Sequence, residues 1–286
     1  MSLDRSGAYE ACLATLRTTD IDRYLACLLM PEERRGAVAA LYAFNAELAR
    51  IRDIIREPLP GEIRLQWWRD MLEGEGEGDS LANPLAAGLI HAIDEHSLPR
   101  QPLVAMTEAR IFDLYDDPVD STAMFEGYAG ETASALIQLT AMILDPEHAQ
   151  KASDAAGHAG IAQLVAGSLL LLPTHMRRHQ VYVPGDILAA TGLTAEAFLR
   201  GGDRPRIGAS LSAFIGFGRD HLRKARQASV GTMTPEASLA FLPIASVEGV
   251  LDRAGKLGAD ILTTSPQQSQ LRRQWNMWRA SRKRRF

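Results

Sequence analysis

Apolar residues recur at intervals of three and four along almost the whole of this 286-residue chain, and no comparable stretch alternates as a strand would. Between Pro31 and Pro58, the side chains of Val38, Leu41, Phe44, Leu48, Ile51 and Ile55 fall on one face of a helix of about six turns. The same spacing predicts helices near 62–73, 84–96, 100–115, 122–144, 147–172, 206–229, 236–243, 247–263 and 267–282. Short helices at 186–191 and 195–200 join them, and Pro, Gly and Asp-rich joints separate the segments. Every apolar stripe has to be covered by another, which predicts an all-α fold.

Length alone allows two domains. The turn cluster from Pro184 to Asp203 is the natural place to divide, but the short helices bridge it, so residues 15–265 read as one helical domain. An N-terminal segment, 1–14, and a basic aromatic helix or tail, 266–286, flank it. Hydrophobic residues make up 46% and charged ones 23%, enough for both a core and a solvated surface, which excludes collagen-like, disordered and disulfide-scaffold classes. Cys12 and Cys27 form neither a CxxC nor a Cys/His cluster, which fits a reducing compartment. The start, MSLDRSGAYE, has no basic segment followed by an apolar core, so no secretory signal is expected and a cytoplasmic setting is.

Net charge is −4, but it is unevenly placed. Arg272, Arg273, Arg279, Arg282, Lys283, Arg284 and Arg285 lie after residue 271 with no acid among them, leaving the body 24 cations against 35 acids, or −11. Such a body repels nucleic acid, and no nucleic-acid partner is expected. The tail, with Trp275, Trp278, Arg282, Lys283, Arg284 and Arg285, suits contact with an anionic membrane or an acidic partner, and equally a solvated helix end.

The acidic glycine-rich segment Gly74 to Ser80 opposes phosphate rather than cradling it and reads as a flexible connection. Ala155 to Thr174 carries no formal charge and is long enough to span a bilayer. Interrupted by His158, Gln163, Ser168 and three glycines and ended by Pro173, it reads instead as the central helix of a bundle, with Thr132 to Leu144 as its neighbour.

Paired carboxylates at i, i+4 on two facing helices would hold magnesium diphosphate. Asp113 and Asp117 have the spacing, with Asp116 and Asp120 nearby, but Pro118 interrupts them and they read as a solvated helix end. His175 and His179 would share a helix face only if the helix outlived Pro173, and Met176 stands where a zinc protease carries its glutamate. Ser168 lies outside any nucleophile elbow, and Gly216 and Gly218 follow no strand, so neither a hydrolase nor a dinucleotide fingerprint is present.

An ordered series of segments is more specific than any of these. LLMPEERRGAVAALYAF from Leu28, QWWRDML from Gln66, YAGETASALIQLT from Tyr128, GIAQLV from Gly160 and RRHQVYVP from Arg177 to Pro184 resemble the squalene/phytoene synthase family. The resemblance implies the isoprenoid synthase fold, a single helical domain around a central apolar cavity, in enzymes that join two prenyl diphosphates head to head.

The chain departs from that family where its aspartate motifs belong. The first matches Ala49, Arg50, Ile51, Arg52 and Asp53, where only the final aspartate remains; the two aspartates of the second fall at Leu171 and His175. Without those carboxylates the magnesium ions that neutralise departing pyrophosphate have no cradle, so no catalytic residue and no cofactor are expected, and magnesium would enter only with prenyl transfer. That alternative would need Asp53 with Asp113, Asp116 and Asp117 as ligands. The substitutions resemble a non-catalytic branch that includes a mitochondrial complex I assembly factor and its alphaproteobacterial relatives. This implies complex I subunits or assembly intermediates as partners and a location at the inner membrane, on the matrix side in mitochondria. Arg50, Arg52, Asp53, Gln163, Arg177, Arg178 and Tyr182 are the candidate ligand-binding residues. Two further readings stay open: the arginines, with Arg56, bind a diphosphate or lipid head group directly or pair with Glu47, Asp53 and Glu57, and the cavity carries an isoprenoid or lipid.

Overall fold

The computed structural model describes residues 4–55, 57–75, 82–115 and 117–286, and most of the Gly74 to Ser80 segment lies outside them. Among the described residues there is no strand. The first half comprises α1 (Arg5–Thr19), α2 (Ile21–Leu28), α3 (Glu32–Ile54), α4 (Pro58–Glu73), α5 (Pro84–His96), α6 (Gln101–Ala109), α7 (Thr122–Ala129) and α8 (Ala135–Leu144). The second comprises α9 (Ser153–Arg177), α10 (Gly185–Ala190), α11 (Ala195–Arg200), α12 (Arg204–Ser229), α13 (Val247–Leu257) and α14 (Gln270–Lys283). Side-chain caps fix several starts: Asp4, Asp20, Asn83, Ser121, Thr194 and Asp203 each accept a backbone N–H of the following turn.

Two helical groups make the body. α1, α3 and α5 pack on one another, α9, α12 and α13 do the same, and α8 touches both α3 and α9. The uncharged run of α9 is at the centre, with Ala155, Ala159, Ala162, Val165, Ala166, Leu169 and Leu172 buried. This helix is long and apolar enough to cross a membrane, yet 61% of its most apolar window is buried by the rest of the protein. Pro173 does not end it: α9 continues to Arg177. A proline removes the bond to the carbonyl four residues back, here that of Leu169, and crowds it; one residue on, the Leu170 carbonyl accepts from the Ser265 hydroxyl at 2.9 Å. His179, in the left-handed region at φ 58°, lies beyond the helix, so it shares no helix face with His175.

The predicted helix 122–144 is interrupted by a π turn, Gly130–Ser134, which resets the register between α7 and α8. At its end Ser134 Oγ donates to the Gly157 carbonyl of α9 at 2.9 Å. The two backbones meet there because Gly160 has no side chain: a Cβ at that position would lie 2.2 Å from Ser134 Oγ and 2.4 Å from its backbone nitrogen. Gly157, one turn earlier, faces open space. Gly160→Ala is therefore expected to lower stability by about 1–3 kcal/mol through forced separation. Gly157→Ala should be neutral or gain about 0.5–1 kcal/mol from helix propensity. Urea unfolding of the two variants side by side checks the pair.

Candidate functional site

A cavity of about 560 Å³ opens where the C-terminal parts of α3 and α9 pass each other. Ala49 and Asp53 stand one turn apart on α3, and Leu171 and His175 one turn apart on α9, so that all four line the cavity. Arg52, Gln163, Arg178 and Tyr182 line it too, as do Arg23, Asn45, Arg110, Asp113 and Tyr128. Arg50 and Arg177 do not: both are exposed, and Arg177 donates to Thr174 Oγ1 at 3.1 Å. Arg56 and Asp116 lie outside the described residues. Trp275, Trp278 and Arg282 to Arg285 belong to α14 and the residues that follow it, and take no part in the cavity.

A buried polar cluster closes one wall. Arg110 donates to Asp113 at 2.9 Å, to the Tyr128 hydroxyl at 2.8 Å and to Asn45 Oδ1 at 3.3 Å. Asp113 also accepts from the hydroxyls of Tyr128, at 2.8 Å, and Tyr182, at 2.9 Å. Burial followed by the Asp113 charge keeps Tyr182 protonated far into alkali. For Tyr128, burial is again the largest cause of an upward shift. Burial alone would favour neutral Arg110, but Tyr128 and Asp113 outweigh it and hold the guanidinium charged. Asp113, expected at a solvated helix end, is instead drawn inward by three partners.

Two further ion pairs involve lining charges. Asp53 accepts from Arg178 at 2.7 Å, and Arg23 donates to Asp20 at 2.6 Å. Glu47 pairs with Arg64 rather than with an α3 arginine. Burial pushes His175 down to about 4, so it is neutral near pH 7, with its ring 4.6 Å from that of Tyr182.

Magnesium diphosphate asks for several free carboxylate oxygens from opposite walls. Of the described residues lining the cavity, Asp53 and Asp113 are acidic, one held by Arg178 and the other by Arg110 and two tyrosines. Among the described residues no three His, Cys, Asp or Glu side chains converge on a point where a metal ion would sit. The described residues do not fit such a cluster.

The squalene/phytoene synthase family model matches residues 16–279. The chain belongs to that family. Among its relatives, NADH dehydrogenase (ubiquinone) complex I, assembly factor 6 from Homo sapiens is 33% identical over 262 residues, covering 92% of this chain and 78% of the relative. The Mus musculus protein of the same name is 31% identical over 265 residues, covering 93% and 79%. A dehydrosqualene synthase solved with a ligand superposes with a TM-score of 0.80 at 14% identity, covering 98% of this chain and 97% of that one. That structure establishes the isoprenoid synthase fold.

Sequence reasoning singled out Tyr182 but missed Arg110, Asn45 and the inward turn of Asp113. Their one local signal is the i, i+3 spacing of Arg110 and Asp113, since Tyr128 and Tyr182 arrive from 15 and 69 positions away from Asp113. Removing the carboxylate leaves a buried cation uncompensated, so Asp113→Ala should cost about 3–5 kcal/mol, while Tyr182→Phe should cost about 1 kcal/mol. Chemical denaturation of each variant reads the difference.

His175 sets a pH dependence whose sign follows from its lowered value. Between its ordinary 6.5 and about 4 the unfolded chain binds more protons at this position than the folded one. Its contribution is thus complete above that window and lost as pH falls through it, by up to about 3 kcal/mol. His96 and His221 are also lowered by burial and shift the curve in the same direction. The test is accordingly a difference: His175→Leu should flatten the decline in urea midpoint between about pH 7 and about pH 4.5 relative to the unsubstituted protein.

Proposed function

We propose that this protein is a non-catalytic member of its family that acts by binding, in assembly of respiratory complex I. The observation that carries the reading is the pairing of the two cavity carboxylates. Prenyl transfer from a diphosphate needs free anionic oxygens to hold metal ions against the leaving group, and here Asp53 and Asp113 are already neutralised by arginines. Ala49, Leu171 and neutral His175 supply no oxygen ligand in their place. Each 1.36 kcal/mol lost from transition-state stabilisation is tenfold in rate, and the loss of several metal contacts removes useful turnover.

The positive side of the reading rests on the relatives. Proteins named for complex I assembly align over more than nine-tenths of this chain at 31–33% identity. The partners in this reading are complex I subunits or assembly intermediates, and the setting is the membrane that holds that complex. Two measurements test it. Incubation with farnesyl or geranylgeranyl diphosphate and magnesium is expected to give no product above a no-protein blank, and any product defeats the non-catalytic assignment. Deleting the gene in its own cells should lower assembled complex I and membrane NADH:quinone oxidoreductase activity, with recovery on re-expression; unchanged complex I defeats the assembly role.

A further inference from the structure

We propose that the outer face of α14 seats this protein on an anionic lipid bilayer. The inner face of that helix is fixed to the body. Met277 is buried, Arg273 pairs with Asp22 of α2, and the helix lies along the turn of 3-10 helix at Ala237–Ser246. It is therefore a held element and not a loose tail, and what it shows outward is set by the fold.

Outward it shows Leu271, Trp275 and Trp278, at spacings of four and three, which put them on one stripe. They are 79%, 59% and 45% exposed, and the two indole rings stack at 5.0 Å. Two stacked tryptophans and a leucine on a surface helix form an apolar patch that no described residue covers. Arg282 continues the stripe with its guanidinium 5.9 Å from the Trp278 ring, and Arg272, Arg279 and Lys283 are exposed beside it. At the end of the helix Arg284 and Arg285 share a groove of about 470 Å³ with Val230, which is 78% exposed.

The charge pattern selects the occupant. Residues 266–286 contain seven cations and no acid, whereas the body carries a net −11. An anionic surface attracts this face and repels the others, which orients the protein in one way. Indole rings flanked by Arg and Lys are the composition of an interfacial helix: the rings settle at head-group depth while the long cations reach phosphate. A folded acidic protein would satisfy the cations but would need a matching apolar groove for the stacked rings, whereas a bilayer takes them at any position. The inference is independent of the assembly role and is read by vesicle binding alone.

The full chain is mixed with vesicles of phosphatidylcholine, with or without phosphatidylglycerol, and sedimented at low and high salt. Binding is expected with the anionic vesicles, weaker at high salt. It should fall at least roughly tenfold in the triple variant Arg279→Gln, Arg282→Gln, Lys283→Gln. Brominated lipid should quench tryptophan emission, and Trp275→Phe with Trp278→Phe should abolish that quenching while Trp67 and Trp68 remain. All substituted side chains are exposed, circular dichroism verifies folding, and quenching of the unsubstituted protein needs no variant. No association with anionic vesicles, association unchanged by the charge substitutions, or quenching that survives loss of both indoles overturns the proposal. So does tighter binding to polyglutamate or duplex DNA than to the vesicles at equal ionic strength.

Discussion

The uncharged run of α9 has to be covered on several sides, because its buried residues wrap the helix rather than occupying one face, although Leu171 stays 53% exposed. That requirement places α12 and α13 along one flank and α8 with its π turn along another. The tightest point of the cover is the backbone contact at Gly160, where any side chain would collide with Ser134. Once α9 is held there, its last two turns are carried past α3, and the positions of Leu171 and His175 opposite Ala49 and Asp53 follow. The continuation through Pro173 belongs to the same constraint: forgoing one hydrogen bond costs less than unwinding the turn that buries His175.

The cavity that results is electrostatically closed. An enzyme working on a diphosphate keeps a surplus of negative oxygen at the mouth of its site, to be neutralised by metal ions when substrate arrives. Here the neutralisation comes from the protein's own side chains. Arg178 answers Asp53, Arg110 answers Asp113, and the two tyrosine hydroxyls use Asp113 lone pairs that a metal would need. An aspartate at position 175 would have entered a site already containing Asp53 and Asp113; the neutral imidazole adds no charge and packs its ring against Tyr182. The family's fold is retained around a cavity whose two described carboxylates are paired.

How much of this was legible in the sequence depends on the range of the interaction. The helices were readable because apolar spacing is local, and the i, i+4 relation of Ala49 to Asp53 and of Leu171 to His175 could be stated from spacing alone. That the two pairs face each other came from family resemblance, since no periodicity within one helix says which other helix it meets. The π turn was invisible because it changes hydrogen-bond register without changing composition. Asp113 was misjudged for a related reason. Its neighbours Asp117 and Pro118 are the residues of a solvated turn, and the groups that pull it inward come from α7 and from the segment after α9. Pro173 misled because the proline rule is local and does not count the packing of Leu172 and His175 that holds this turn.

Charge is segregated in this molecule at two scales, and the same principle governs both. In the cavity, opposite charges are paired at hydrogen-bond distance, Arg110 with Asp113 at little exposure and Arg178 with Asp53 nearer solvent, where the aspartate side chain is 53% exposed. Across the whole molecule they are largely kept apart, with seven cations in the last helix and its end, of which Arg273 pairs with Asp22, and a body of net −11, so the field extends outward and is screened by salt. Paired buried charge builds a scaffold, whereas unpaired surface charge beside exposed indole rings seeks a partner. A chain whose cavity carboxylates are paired with arginines while most cations of its last helix are exposed carries its free positive charge on the surface.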